Sequence, residues 1–176
     1  MRYTNFAMNP SVTEIPPRPI HRVAKELVAS NGFLLARLGM GFKLKAIALF
    51  EQEGFELYDY SVLAILAEGA RETQSTIADA LNVDPSRLVA LLDSLEQRGL
   101  VLRQRDPQDR RRHVVSITDA GKRELGRLRE MTKKLENEFF APLDADSRLA
   151  LRELLQRLAR HNDPRCASAM EPKPAG

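Results

Sequence analysis

The 176-residue sequence predicts a mainly α-helical chain with one small β-hairpin, and three observations carry that reading. Apolar residues recur at steps of three, four or seven over most of the length, the period of a helix buried on one face. Ser, Thr or Asp stands immediately before several of these stretches, where a side-chain oxygen can accept from an orphaned amide. Only residues 100–117 break the helical pattern, in two short β-branched or alternating runs around the turn-rich segment Asp106-Pro107-Gln108-Asp109-Arg110-Arg111.

Residues 1–20 hold Pro10, Pro16, Pro17 and Pro19, which remove amide donors, so a flexible arm is expected there. From residue 21 to about 52, Val23, Leu27, Leu34, Leu38, Phe42 and Leu49 mark a first helix. Gly32, Gly39 and Gly41 weaken it. At about 1 kcal/mol per glycine relative to alanine, a kink or break is expected near Gly39 to Gly41 unless packing compensates. After the turn at Glu53-Gly54, Leu57, Tyr60, Leu63 and Leu66 define a second helix that ends near Gly69.

Thr73 can cap a short third helix with Ile77, Ala78 and Leu81 inward, and Asn82 suits the left-handed residue that ends it. Asp84-Pro85 opens a fourth helix, an acidic cap followed by proline where a missing amide costs nothing. Leu88, Leu91, Leu92 and Leu95 form its inner stripe, leaving Ser86, Arg87, Val89, Ala90, Asp93 and Ser94 outward; Gly99 closes it. Leu100 to Arg105 and Arg112 to Ile117 pair as the hairpin. Thr118 caps a fifth helix carrying Leu125, Leu128, Leu135 and Phe139, ended by Pro142. Asp144 caps a sixth with Leu151, Leu154, Leu155 and Leu158. From about 162 to 176, Pro164, Pro172 and Pro174 predict a disordered tail.

An apolar content of 43% with 29% charged residues suits one compact domain with peripheral helices. No apolar run reaches the roughly 18 residues of a membrane span, and no basic, apolar, small-residue leader opens the chain, so a cytoplasmic protein is expected. The single Cys166 cannot make an internal disulfide; a sensing thiol or a bystander are both compatible with its place in the tail. Three scattered histidines and one cysteine assemble no metal-ligand spacing. Nor is there a glycine-rich phosphate loop, a nucleophile elbow or a paired-carboxylate arrangement, so neither an enzyme nor a bound cofactor or metal is expected.

Charge is unevenly placed. Residues 98–113 carry Arg98, Arg103, Arg105, Arg110, Arg111 and Arg112 against Asp106 and Asp109, a local +4 in a chain of net +3, which leaves the remainder at −1. A basic strip on a near-neutral body is the footprint of phosphate neutralisation, although a merely solvated hairpin would look the same. A short helix, a tight connection, a longer helix and a basic hairpin follow the order of a winged helix-turn-helix. Its fourth helix has the width of the B-DNA major groove, and an arginine at the hairpin tip suits the negative potential of the minor groove.

The stretch TQSTIADALNVDPSRLVALLDSLEQRGLVLRQRDPQDRRRHVVSITDAGKREL, from Thr73 to Leu125, resembles the MarR family of bacterial regulators. The junction Gly99-Leu100-Val101, followed by Asp109-x-Arg111 and Ser116-Ile117-Thr118, is its most specific portion. The resemblance implies one MarR-like domain over 21–161, with a winged helix-turn-helix core at about 55–118 and dimerisation helices at 21–52 and 119–161. It implies a homodimer on a pseudo-palindromic double-stranded operator, repressing its own or a neighbouring operon until a small molecule or stress releases it. Arg111 would enter the minor groove and Asp109 would orient it, unless the two form an ordinary surface ion pair. Arg105 and Arg110 would flank them. Thr73, Ser75 and Thr76 would face phosphates, Thr73 being equally a plain cap, and Ser86 and Arg87 would meet bases. Val89 and Ala90 replace the polar or basic residues many relatives carry, which shifts specificity toward Arg87, thymine methyls and DNA shape.

Many relatives bind small aromatic acids or phenols between the dimer helices and the DNA-binding lobe. Tyr58 and Tyr60 lie near that cleft, though aromatics at helical spacing also serve as core or dimer packing, and Arg37 and His21 could meet an anion. The competing reading is a winged-helix protein-interaction module without DNA binding, which loss of the basic wing residues would favour; here they are abundant.

Overall fold

The computed structural model describes residues 22–68, 72–105 and 113–170. The chain divides into a unit ending at Leu38 and a unit beginning at Gly39. In the first, α1 (Lys25–Val28) and the opening turns of α2 (Asn31–Gln52) leave Leu27, Val28, Leu35 and Leu38 exposed. Arg37 lies over the Phe33 ring at 5.9 Å.

The helix break falls at Ala29-Ser30, ten residues before the position expected from the glycines, and α2 is helical through Gly39 and Gly41. The Ser30 hydroxyl accepts from the Phe33 amide at 3.3 Å, so serine restarts the helix locally. At Gly39 and Gly41 no proline removes a helical amide, and beyond them α2 buries Ala46 and Phe50.

In the second unit, α3 (Leu57–Ala67) buries Val62, Leu63 and Leu66 and packs on α4 (Gln74–Leu81), α5 (Pro85–Gln97) and α6 (Asp119–Phe139). Caps read from the sequence are formed: Thr73 accepts from Thr76, Asp84 from Ser86, Thr118 from Gly121 and Asp144 from Ser147. Asn82 ends α4 at φ 51°, ψ 47°.

A three-stranded antiparallel sheet runs β1-β3-β2, with β1 (Glu72–Thr73), β2 (Val101–Arg105) and β3 (His113–Ile117). Val101 pairs with Ile117 and Arg105 with His113, while Glu72 pairs with Val115. The sequence predicts the β2–β3 hairpin and not β1, whose two residues are too few to show a period. The core joins Ile77, Leu88, Leu92, Leu95, Val101, Val115, Leu125 and Leu128, so α5, the sheet and α6 share one packed interior.

After α7 (Ala145–Asn162), the chain forms α8 (Pro164–Met170), where a disordered tail is predicted. Asp163-Pro164 repeats the cue that opens α5: the Arg165 amide donates to Asp163 Oδ1 at 3.0 Å, and proline takes the first helical position.

Candidate nucleic-acid interface

The leucine stripe of α5 turns Leu88, Leu91, Leu92 and Leu95 into the core, so Ser86, Arg87, Val89, Ala90 and Ser94 are exposed and Asp93 is half-buried. One face of this 13-residue helix is thus solvent-exposed among the described residues.

That helix's N-terminal end has few free amides to offer a phosphate. Pro85 has no amide hydrogen, and the Ser86 amide donates to Asp84 Oδ1 at 2.8 Å. This bond holds the Asp84 carboxyl below the usual carboxylate range, so the position favoured for an external anion already carries one. What this end leaves available to a ligand is therefore its side chains. The start of α4 is similarly committed. Thr73 Oγ1 accepts from the Thr76 amide at 3.2 Å, and the Thr76 hydroxyl donates to Glu72 Oε2 at 2.6 Å. Ser75 between them is exposed.

The basic strip divides by role. Arg98 lies 3.6 Å from the Phe55 ring centroid and donates to the Gly54 carbonyl at 3.0 Å. Arg103 grips α5 from β2: its Nε donates to Glu96 Oε2 at 2.8 Å, its Nη2 pairs with Asp93 Oδ1 at 2.6 Å, and its amide donates to Glu96 Oε1 at 3.1 Å. These two arginines brace the fold, whereas Arg105 at the end of β2 is exposed. Asp109, Arg110 and Arg111 lie outside the described residues.

Residues 56–113 match the model of the MarR family. A putative transcriptional regulatory protein for the hcr operon of Thauera aromatica is 31% identical over 162 residues, covering 88% of this chain and 96% of its own. The chain belongs to the MarR family. It is a transcriptional regulator, and its fold matches solved members closely. The repressor CouR bound to a 23-mer DNA duplex is 30% identical at a TM-score of 0.70, covering 80% of this chain and 99% of that one. CouR from Rhodococcus jostii RHA1 bound to p-coumaroyl-CoA is 31% identical at a TM-score of 0.64, covering 77% and 96%. Among the described residues, no helix is long and apolar enough to cross a membrane.

The ligand candidates of this MarR-family chain do not all gather. Tyr58 lines a cavity of about 450 Å³ with Lys43, Ile47, Glu51, Glu56, Leu57 and Arg87. Tyr60 is instead half-buried and stacked on Phe50 at 5.6 Å, which makes it a packing residue. Arg37 belongs to the unit ending at Leu38, and His21 lies outside the described residues. Sequence reasoning missed Lys43 and Glu56 as cavity residues. The i, i+4, i+8 spacing of Lys43, Ile47 and Glu51 marks one helix face and was the available signal; Glu56 joins through the fold alone.

Proposed function

We propose that the chain is a homodimeric repressor that binds a pseudo-palindromic duplex through α5 and the β2–β3 wing, and releases it when a small aromatic or phenolic acid occupies the cleft beside Tyr58. The observation that carries this is the uncovered face of α5, bearing Ser86 and Arg87, braced by Arg103 to the first strand of the wing. Ser86, Arg87, Val89 and Ala90 read the major groove. Ser75, with the capping hydroxyls of Thr73 and Thr76 beside it, approaches the phosphate backbone. Arg105, Arg110 and Arg111 serve the wing, with Asp109 orienting Arg111. The p-coumaroyl-CoA and DNA complexes of CouR support both the ligand class and the duplex.

Dimerisation is supported by α7, where Leu149, Leu154, Leu155 and Leu158 are exposed beside a groove of about 410 Å³ bordered by Phe140 and Met170. No catalytic turnover belongs to this role, and its place is the cytoplasm, with the chromosome.

Selection of genomic fragments on the purified protein, followed by salt-dependent binding to the winning duplex, is the test. Log affinity should fall linearly with log salt as counterions leave the phosphates, and Arg111→Ala should bind more weakly. Salt-insensitive binding, or an Arg111→Ala protein as tight as the parent, contradicts the reading.

A further inference from the structure

Arg87 is the third residue of α5, and in this structure its guanidinium points back across the molecule. Its Nη2 lies 3.3 Å from Glu56 Oε2, and its Cζ lies 5.0 Å from the Tyr58 ring centroid. Both partners sit at the start of α3, 31 and 29 positions earlier in the chain, and all three side chains line the cavity completed by Lys43, Ile47, Glu51 and Leu57. The Glu56 backbone is fixed, because its amide donates to the buried Asp59 Oδ2 at 2.8 Å. One arginine therefore belongs both to the reading helix and to the cavity wall.

We propose that Arg87 is a latched arm: pairing with Glu56 and Tyr58 stows it in the cavity wall, DNA binding requires its release, and an aromatic carboxylate entering between Lys43 and Arg87 holds it stowed. The physical basis is exclusion. A guanidinium laid on Tyr58 and paired with a carboxylate has its donor fork turned into the cavity, while base reading needs that fork extended from the helix tip. The latch is weak, since both charged groups are more than half exposed, so DNA can break it. A ligand carboxylate adds a second anion to the same fork, its charge balanced by Lys43 and its ring set against Tyr58, Ile47 and Leu57. The inference rests on the reading of this cavity as the effector site.

The test is a mutant cycle by fluorescence anisotropy on the selected duplex, with wild type, Glu56→Gln, Arg87→Ala, the double variant and Glu51→Gln, each confirmed folded by circular dichroism. Glu56→Gln should tighten binding by about two- to fivefold, the return from breaking an exposed ion pair. In the Arg87→Ala background that gain should vanish. Glu51→Gln makes the same charge change without touching Arg87 and should gain less. Benzoate should weaken DNA binding by wild type and leave Arg87→Ala unaffected. A Glu56→Gln gain that is absent, matched by Glu51→Gln, or retained without Arg87 overturns the latch. Equal weakening of both proteins by benzoate overturns the coupling through Arg87, and no weakening of wild type overturns the carboxylate. Absence of any duplex binding by wild type would instead sink the repressor reading.

Discussion

Gly121 sits at the third position of α6, where the helix enters against the turn between α5 and β2. A Cβ built there would stand 2.1 Å from the Leu100 carbonyl oxygen and 2.8 Å from Ile117 Cγ1. The first obstacle is backbone, so no rotamer change relieves it. Either α6 lifts or the start of β2 moves, and both disturb Thr118, whose hydroxyl donates to the Gly99 carbonyl at 2.7 Å and whose amide donates to Leu100 O at 3.0 Å. Overpacking a filled site costs about 1–3 kcal/mol. A weakened hydrogen bond adds about 1 kcal/mol, and the better helix propensity of alanine returns at most about 1 kcal/mol. The net for Gly121→Ala is a loss of about 1–3 kcal/mol, a Tm lower by roughly 3–10 °C for a chain of this size. Gly126 in the same helix is the control, because a Cβ there meets nothing within 4 Å. Gly126→Ala should raise stability by roughly 0.5–1 kcal/mol. Thermal and urea melts of the two variants, at one protein concentration because subunit association shifts the midpoint, decide the matter. If Gly121→Ala melts at or above the parent, α6 does not approach the α5–β2 turn closely at Gly121.

Three further outcomes follow from the same geometry. The Arg103 guanidinium holds the Glu96 carboxyl below its usual range, so that contact stabilises the fold above the unfolded carboxyl range near pH ~4.3 and is lost as pH falls through the lower folded value. Arg103→Gln should therefore cost about 1–2 kcal/mol near neutrality and flatten the acid limb of a pH–stability curve; an unchanged limb would contradict the pairing. Asp59 behaves oppositely, since burial pushes its carboxyl up and Oδ1 has no hydrogen-bond partner among the described residues, so its contribution is fullest in acid and declines as pH rises through the folded value. The stability of Asp59→Asn relative to the parent should consequently increase from pH ~3.5 to pH ~6 by urea titration, and a difference independent of pH would dismiss the effect. Leu154→Asp with Leu158→Asp places charges one helical turn apart on the exposed face of α7; light scattering should find monomers, and a surviving dimer would move the interface elsewhere.

The sequence discloses what depends on near neighbours. Thr73, Asp84-Pro85, Thr118 and Asp144 announce their helices because a cap is a contact within three residues, and the leucine stripe of α5 shows its buried side because helix period is local. The failures are equally physical. Ser30 outcompeted the glycines as the point of interruption, since an early amide found a hydroxyl there and no side chain or proline opened the ladder at Gly39 and Gly41. The same Asp-Pro signal went unread at Asp163 because surrounding prolines suggested a tail. The roles of the arginines were illegible: Arg98 against Phe55 spans 43 positions and Arg87 against Glu56 spans 31, and nothing in a run of like charges separates those that brace from those that face solvent.

These braces determine how the regulator can move. Arg103 ties β2 to α5 through Asp93 and Glu96, and β3 lies between β2 and β1. Thr73 is at once the last residue of β1 and the cap of α4, so the two helices and the sheet strands around them form one connected block. Into it α6 inserts its first turn, gripping the carbonyls of Gly99 and Leu100 through Thr118 with no room for a methyl at Gly121. A displacement of α6 in the proposed dimer must then carry the α5–β2 turn with it, and the proposed DNA-reading surface rotates as a unit. Side-chain repositioning within that surface is left to residues outside the bracing, and among the described residues Arg87, held by an exposed pair and an aromatic face, fits the arm proposed above.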